Sequence, residues 1–313
     1  MKQVLCILLN PALDMTISVD NLTIGKVNRA TDTQLHAAGK ALNAAQILSG
    51  LGVRCVLSGF LGNENQAAFE RLFALTNQQQ TLLIDRLQRV AGQTRTNIKL
   101  VDKGLTTDIN GQGFVVNEAD KEQLLIEAKS LAEQCDAVLV AGSLPQGFAL
   151  ADFDKLLQVL CAANDKVAVD VSGDALKIAL NHNLWLIKPN TDELLEAFAV
   201  SCDDMSQQQA WLDSLPARPC HSVISMGEQG VNWFASTHSC HAAPPKVMVK
   251  STVGAGDTLL AGMIYGLLHE HDKVETLTTA VALAAHAVSI VGFAVADKSR
   301  LDALRSQVVI DCR

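Results

Sequence analysis

The sequence has few aromatic residues and no concentration of positive charge. Aromatic side chains make up 4% of the 313 residues, and Asp plus Glu outnumber Lys plus Arg by 33 to 25. A chain with a net charge of −8 repels nucleic acid and anionic membranes unless it carries a local basic patch. A single tyrosine and few other aromatic residues also disfavour a base-stacking surface. The composition therefore predicts neither a nucleic-acid partner nor a membrane partner.

Long apolar runs and a secretory signal are absent as well. No apolar run approaches the ~20 residues that span a bilayer, and the N-terminus begins directly with a strand-like segment. The eight cysteines form no C-x-x-C pair, and several, such as Cys6, lie within apolar runs. We therefore predict that the cysteines are reduced and mostly buried and that the protein is cytoplasmic.

Apolar segments alternate with amphipathic segments along most of the chain. Apolar runs predict strands at 4–9, 54–59, 137–141, 166–171, 185–188 and 222–226. Amphipathic stretches predict helices at 39–51, 65–76, 118–134, 151–163, 173–181, 191–200, 254–269 and 274–291. Continuous apolar strands separated by helices are typical of a parallel sheet covered on both faces. The pattern therefore predicts an α/β fold with a mainly parallel sheet.

Two regions, 12–36 and 90–116, interrupt this alternation. They contain short segments of alternating polarity at 15–19, 94–101 and 114–116, which predict antiparallel strands with one exposed face. We expect a small β-sheet that projects from the body and leaves a cleft able to enclose a ligand. The polar stretch 77–80 is interpreted as a short turn.

The most specific motif is S-T-V-G-A-G-D-T at 251–258. It follows an apolar, strand-like stretch at 247–249 and precedes a helical pattern, so its amides and the helix N-terminus suit an anion. Asp257 within such a turn makes chemical sense if it deprotonates a hydroxyl that attacks a phosphoryl group. For an isolated Gly-Asp-Thr, a helix N-cap would be the simpler interpretation. The sequence has no Walker A motif and no complete G-x-G-x-x-G.

The longer string at 251–262 resembles the C-terminal signature of the ribokinase-like, pfkB-type sugar kinases. Six further segments resemble motifs of that family in the family's order: L-N-P-A-L-D at 9–14, V-N-R at 27–29, A-G-K-A-L-N-A-A at 38–45, T-R-T-N-I-K at 94–99, A-G-S-L-P at 141–145, and K-P-N at 188–190 with Glu193. The resemblance implies one domain over 1–313, built as a three-layer α/β/α sandwich. It also implies lid strands from about 12–36 and 90–116 and a homodimer formed through the lid.

The implied activity is phosphorylation of a sugar phosphate by ATP with Mg²⁺. T-R-T-N-I-K followed by T-T-D-I-N-G at 106–111 favours fructose 1-phosphate, converted at its 6-hydroxyl to fructose 1,6-bisphosphate. Two alternatives stay open. One is a kinase of the same family that acts on tagatose 6-phosphate or fructose 6-phosphate, and the other is a catalytically impaired sugar-phosphate sensor.

The resemblance assigns roles to the residues that match the family motifs. Asp257 is the expected base, and the amides of Gly254, Ala255 and Gly256 form the expected anion hole. The expected contacts to the sugar phosphate are Asp14, Gly39, Asn43, Arg29, Lys40, Arg95 and Ser143. Of these, the cations Arg29, Lys40 and Arg95 are expected to bind the phosphate that the substrate already carries. The expected nucleotide contacts are Lys188, Asn190, Glu193, Ser225, Gly227, Gly230, Ser251, Thr252, Gly254 and Gly256.

Glu193 resembles the family's acid that holds magnesium through water, and some relatives also require a monovalent cation near the Gly254 loop. Taken alone, 190–193 is simply the acidic start of a helix, and 227–230 is an ordinary hairpin turn.

Residues 38–46 depart from the family pattern G-G-K-G-x-N-V-A-R. Ala38 and Ala41 replace glycines and Gln46 replaces the arginine. If either glycine position needs a positive φ, alanine would strain it by about 1 kcal/mol or more. Since Asp257 and its loop are intact, we expect retained kinase activity with altered substrate preference or affinity.

Overall fold

The computed structural model of the chain describes residues 1–78, 82–290 and 292–313. The strands are β1 (Gln3–Leu8), β2 (Ala12–Val19), β3 (Ala30–Ala38), β4 (Arg54–Gly62), β5 (Leu83–Val90), β6 (Arg95–Asp102), β7 (Leu105–Asn110), β8 (Ala137–Ala141), β9 (Val167–Asp170), β10 (Leu186–Ile187), β11 (His221–Ser225), β12 (Val231–Ala235), β13 (Ser239–Ala243) and β14 (Val309–Cys312). The helices are α1 (Lys40–Gly50), α2 (Ala67–Gln78), α3 (Glu118–Ala132), α4 (Leu150–Ala163), α5 (Gly173–Ala179), α6 (Thr191–Phe198), α7 (Met205–Asp213), α8 (Ala255–Leu268), α9 (Lys273–Ser289) and α10 (Lys298–Arg305). No helix in the described ranges is long and apolar enough to cross a membrane.

The central sheet has the strand order β14-β13-β12-β11-β10-β9-β8-β1-β4-β5. Strands from β11 to β5 in this order are parallel, and β12, β13 and β14 continue the sheet in antiparallel fashion at one edge. Because parallel strands end on the same side, the segments after β1, β8, β9 and β10 meet at one edge of the sheet. Four predicted site residues follow β8 or β10: Ser143, Lys188, Asn190 and Glu193.

Helices cover the central sheet on both faces. Residues of α1, α2, α8 and α9, such as Leu42 and Leu260, form one core with the first face. Residues of α3 to α7, such as Phe153 and Leu212, form a second core with the other face. The three-layer α/β/α sandwich with a mainly parallel sheet is therefore confirmed.

A separate four-stranded sheet, here called the lid, has the order β3-β2-β6-β7. Its outer pairs are antiparallel, as predicted, but β2 and β6 are parallel. The strand predicted at 114–116 is wrong. Phe114 and Val116 are buried in the second core, where they contact the body, and Val115 makes only an isolated bridge to Gln146. The alternation of this segment thus reflects anchoring to the core.

Other differences concern the ends of elements, one predicted strand that does not form, and elements that were not predicted. The six predicted body strands and eight predicted helices each correspond to an observed element, whereas 247–249 forms no strand. The helix α2 extends to Gln78, and the remainder of the turn predicted at 77–80 lies outside the described residues. Neither α7 nor the β12–β14 edge was predicted, because short, mixed segments carry little periodicity.

The prediction that every cysteine is reduced is wrong for one pair. Cys240 of β13 and Cys312 of β14 form a disulfide, with 4.1 Å between their Cα atoms. The antiparallel register places these residues directly opposite each other, although 72 positions separate them in sequence. The other six cysteines are free, and of these Cys220 is exposed.

Candidate active site

The N-terminus of α8 forms the turn expected from the 251–258 motif. Gly254 is the N-cap with a φ of 80°, and a Cβ at this position would overlap the ring of Phe293. Because the backbone conformation and the ring both disfavour a side chain, this position requires glycine. The first N–H groups of a helix lack partners within the helix, so the turn offers amides to an anion.

Asp257 lies in the first turn of α8 and is only 7% exposed. Its Oδ2 accepts a hydrogen bond of 2.8 Å from Asn43 Nδ2 of α1. Burial, and then the charge of Asp170, raise the pKa of Asp257 to about 6, against the opposing effects of Asn43, Lys40 and Lys188. A buried carboxylate with a pKa near neutrality is suited to accept a proton from a hydroxyl.

Asp170 is a site residue that the sequence analysis did not identify. It ends β9 and is 2% exposed. Its Oδ1 lies 3.4 Å from Lys188 Nζ and its Oδ2 lies 3.5 Å from Lys40 Nζ, but both oxygens lack a hydrogen-bond partner among the described residues. An acid that ends an otherwise apolar strand was the available signal, since buried charges are paired or bind ligands.

Lys40 connects the two sides of the site. Its Nζ lies between Asp170 and Glu193, 3.6 Å from Glu193 Oε1. Burial acts to lower the pKa of Lys40, but the carboxylates of Asp170, Glu193 and Asp257 raise it overall. The ammonium is therefore held charged beside the residues expected to contact ATP.

The start of α1 carries the atypical 38–46 segment without strain at its alanines. Gly39 is the residue with the positive φ, 139°, and a Cβ there would lie 2.7 Å from Leu8 Cδ1. Ala38 ends β3 and Ala41 lies in α1, both buried and neither with a positive φ. The strain considered for these two positions does not arise, so backbone strain gives no reason to expect impaired activity.

Three residues expected to hold the sugar phosphate, Asp14, Arg95 and Ser143, lie where the lid meets the body. Asp14 Oδ1 accepts from Asn97 Nδ2 at 3.0 Å, across the parallel pair β2–β6. Asn10 links Ser143 to Arg95. Its Nδ2 donates to Ser143 Oγ at 3.0 Å, and its carbonyl accepts from Arg95 Nη2 at 3.5 Å. Burial lowers the pKa of Arg95, and nearby Asp14 opposes the shift.

Arg29 is placed apart from this group. It is exposed in the segment before β3 and makes none of these contacts. The side-chain amide of the preceding residue, Asn28, forms hydrogen bonds with the backbone of Thr23 and Lys26. The structure thus brings together Asp14, Arg95 and Ser143, but not Arg29.

The residues expected to contact ATP surround the ends of β10 and β11. Asn190 caps α6, and its Oδ1 accepts from the Glu193 amide at 2.7 Å while Glu193 Oε2 accepts from the Asn190 amide at 2.9 Å. The simple helix-start interpretation is therefore correct as structure. It leaves Glu193 Oε1 facing Lys40, so the cap also orients the acid.

One turn with two glycines lies beside this cap. Ser225 forms a bridge with Asn190, and the following turn places Gly227 at φ 58° and Gly230 at φ 102°. Ser251 is joined to the end of α9 through Val288, whose carbonyl lies 3.3 Å from the Ser251 amide. Thr252 follows Ser251 directly and stands two positions before Gly254, the N-cap of α8.

The arrangement fits a magnesium ion shared with phosphate. Asp170 has two buried oxygens without hydrogen-bond partners, and Lys40 connects it to Glu193. Within the described ranges no three His, Cys, Asp or Glu side chains are grouped to hold a metal by themselves. Mg²⁺ needs only one or two carboxylates when waters and phosphates complete its shell.

Comparison with known proteins identifies the family of this chain. Residues 7–298 match the family described as pfkB family carbohydrate kinase. The chain belongs to the pfkB family of carbohydrate kinases. This pfkB-family chain is 41% identical over 311 residues to the 1-phosphofructokinase of Vibrio cholerae, a match that covers 99% of the chain and 96% of that relative. It is 37% identical over 309 residues to the Escherichia coli 1-phosphofructokinase, covering 98% and 97%.

A solved structure agrees with the fold. The phosphofructokinase-2 of Escherichia coli, in complex with potassium, superposes with a TM-score of 0.84 over 98% of this chain and 99% of the other, at 22% identity. The expected membership of the ribokinase-like, pfkB-type family is therefore confirmed, as is the class of carbohydrate kinase. In this chain an acid, a helix N-terminus, the buried Lys188 and the partly exposed Lys40 occur together.

Proposed function

We propose that this protein transfers the γ-phosphoryl group of ATP to the 6-hydroxyl of fructose 1-phosphate. The products are fructose 1,6-bisphosphate and ADP. The observation that carries the proposal is the buried Asp257 carboxylate at the amide end of α8, next to the ammonium of Lys188. The substrate follows from the relatives named 1-phosphofructokinase, which match over nearly the whole chain.

In the proposed reaction, Asp257 takes the proton of the 6-hydroxyl as its oxygen attacks the γ-phosphorus. The bond from the γ-phosphorus to the bridging oxygen breaks, and ADP leaves with those electrons. The amides of Gly254, Ala255 and Gly256 stabilise the charge that develops on the transferred group. A Cβ on Gly256 would lie 3.3 Å from Lys188 Nζ, so that cation adds to the same anion site.

The sugar phosphate binds between lid and body in this proposal. Asp14 accepts hydrogen bonds from sugar hydroxyls, with Gly39 allowing close approach. Arg95 and Ser143 bind the 1-phosphate, whereas Arg29, which lies apart from them, is left out of this group. Lys40 was expected to bind this phosphate as well, but its pairing with Asp170 and Glu193 supports a position nearer the transferred phosphoryl group.

ATP lies along the ends of β10 and β11 in this proposal. Its contacts are Lys188, Asn190, Ser225, Gly227, Gly230, Ser251 and Thr252. Glu193, through water, and Asp170 would hold Mg²⁺, which when bound neutralises charge on the β- and γ-phosphates. A monovalent cation near Gly254 belongs to the same proposal, since a neighbour of this fold is a potassium complex.

We further propose that body and lid act as one kinase domain, 1–313, and that two copies pair through their lids. Ile24 and Val27, in the connection between the lid strands β2 and β3, are 93% and 92% exposed, and Leu35 of β3 and Leu105 and Ile109 of β7 are exposed as well. A second lid would remove this apolar surface from water. Because the reaction consumes ATP, we place the enzyme in the cytoplasm.

The test is turnover of MgATP with three sugar phosphates under identical conditions. Fructose 1-phosphate should give the highest kcat/KM, above tagatose 6-phosphate and fructose 6-phosphate. Equal or faster turnover of either competitor would make the substrate assignment wrong and leave the kinase class intact. Binding of fructose 1-phosphate without any ADP release would instead support the sensor.

A further inference from the structure

Two asparagine–aspartate pairs occur among the residues of the proposed substrate site. Asn43 Nδ2 donates to Asp257 Oδ2 at 2.8 Å, and Asn97 Nδ2 donates to Asp14 Oδ1 at 3.0 Å. A carboxylate only accepts hydrogen bonds, so each amide nitrogen must face its aspartate and each Oδ1 must point elsewhere. Both asparagine Oδ1 atoms are buried and have no partner in the described part of the chain. Such acceptors indicate a missing donor, which a sugar hydroxyl can supply.

Asn43 is the hydrogen-bond donor that holds the Asp257 carboxylate. Among the described residues, Asp257 has no other side-chain hydrogen bond, and the nearby ammonium groups of Lys40 and Lys188 pair with Asp170 instead. The amide binds one carboxylate oxygen, Oδ2, and thereby leaves Oδ1 for another group. One bond therefore fixes which oxygen is available.

We propose that Asn43 is a positioning residue for the base: it orients the Asp257 carboxylate and leaves Oδ1 to receive the proton of the acceptor hydroxyl. The inference rests on the proposed function, because it concerns the same reaction. It adds a role that contact with sugar alone would not give to Asn43. Asn97, the matched residue at Asp14, acts on substrate binding and leaves the base untouched.

The charged groups around Asp257 come from three other elements. Asp170 ends β9, Lys188 follows β10 and Lys40 begins α1, while no charged group of α9 contributes. Burial and then Asp170 raise the pKa of Asp257, and the Asn43 hydrogen bond is the first of the effects that lower it. Without this bond, the buried carboxylate would hold its proton to a higher pH.

The first experiment is the pH profile of kcat/KM for fructose 1-phosphate. The wild-type acid limb should lie near pH 6, where the Asp257 carboxyl titrates. In Asn43→Ala, the limb should move up by about one pH unit, because the free energy of a hydrogen bond to a charged group corresponds to a pKa shift of about that size. Asn43→Leu, which nearly keeps the side-chain shape without a donor, serves if the alanine variant does not fold and should move the limb equally.

The matched control is Asn97→Ala, which removes the other amide. It should raise KM for the sugar phosphate about tenfold or more, with the acid limb at its wild-type position. If Asn43→Ala only raises KM and leaves the limb in place, Asn43 is a sugar contact alone and the inference is wrong. If both variants move the limb equally, the shift does not come from contact with Asp257 and the inference is again wrong.

A second readout needs no catalysis. Carbon-13 NMR of labelled aspartate carboxyls in the ligand-free protein follows the titration of Asp257, assigned by the signal missing in Asp257→Asn. The Asp257 signal should titrate about one pH unit higher in Asn43→Ala than in wild type, and an unchanged titration contradicts the inference. A wild-type protein without sugar-phosphate kinase activity would overturn the proposed function, and the NMR comparison would still decide whether Asn43 controls Asp257.

Discussion

The Asp170 carboxylate lies 3.4 Å from the Lys188 ammonium, which in turn lies against Gly256 at the start of α8. Both side chains are almost completely buried. A cation held in this way has little freedom and little water, so its attraction to an incoming phosphoryl group is stronger than at the surface. The pair thus fixes positive charge at the position where the proposed reaction develops negative charge.

Replacing Asp257 by Asn should stabilise the folded protein at neutral pH. Burial raises the pKa of Asp257 from 3.8 to about 6, so above pH 6 the folded state holds a carboxylate that the unfolded chain solvates better. The gain in free energy of unfolding should be about 3 kcal/mol at pH 7.5, should shrink as pH falls through 6, and should vanish below the unfolded-state pKa of 3.8. Urea unfolding of both proteins between pH 4.5 and 8 measures it. A gain that does not depend on pH would contradict the assigned environment.

Arg95→Ala should weaken sugar-phosphate binding specifically. Its guanidinium is partly buried beside Asn10 at the junction of lid and body, with Nε unpartnered among the described residues. We expect KM for fructose 1-phosphate to rise about 10- to 100-fold, with KM for ATP unchanged. The matched control is Arg86→Ala, on an exposed position of β5, which should leave both constants unaltered. An equal rise in KM for ATP would contradict the assignment of Arg95 to the sugar phosphate.

Glu193→Gln should raise the Mg²⁺ concentration that gives half-maximal activity. The Glu193 carboxylate is oriented by its cap contacts with Asn190 and by Lys40. Loss of a carboxylate that holds the hydrated ion should cost about 10- to 100-fold in apparent metal affinity. Glu196→Gln, exposed on the next turn of α6, is the control and should behave like wild type. Unchanged magnesium dependence in Glu193→Gln would exclude the proposed ion position.

Cys312→Ser should destabilise the protein. The disulfide to Cys240 ties the C-terminal strand β14 to β13 and closes a segment of 72 residues. In the chain-entropy model its loss lowers the free energy of unfolding by up to about 4 kcal/mol. Thermal unfolding with and without dithiothreitol measures this: reductant should lower the wild-type midpoint and leave the variant unchanged. Cys220→Ser, at an exposed free thiol, is the control. Insensitivity of the wild type to reductant would mean that the two thiols are not joined.

Local sequence was sufficient for features set by neighbouring residues. The Gly254 turn and Asp257 follow from one short string, and the α6 cap follows from Asn190 and Glu193. Asp170 was missed, although an acid at the end of an apolar strand was a local signal. Its pairing with Lys40 was not predictable locally, because it depends on strand order: β9 adjoins β8 and β10, whereas Lys40 begins a helix 130 positions earlier in the sequence.

The C-terminal disulfide was hidden from sequence for a related reason. Residues 309–312 form an edge strand of only four residues, too short to show a clear periodicity, so nothing local places Cys312 opposite Cys240. Phe114 and Val116 show the converse error. The polarity of this segment alternates as in a strand. Its apolar residues are buried in the second core, however, and the segment is not part of the lid sheet.

The most direct test of the central claim follows the product of fructose 1-phosphate and MgATP by phosphorus-31 NMR, with wild type and Asp257→Asn side by side. Wild type should give fructose 1,6-bisphosphate and ADP in equal amounts. Asp257→Asn should slow this reaction by about 10²- to 10⁴-fold, as expected for loss of a general base, while binding both substrates. Turnover near the wild-type rate in Asp257→Asn, or a wild-type product phosphorylated at another position, would contradict the account.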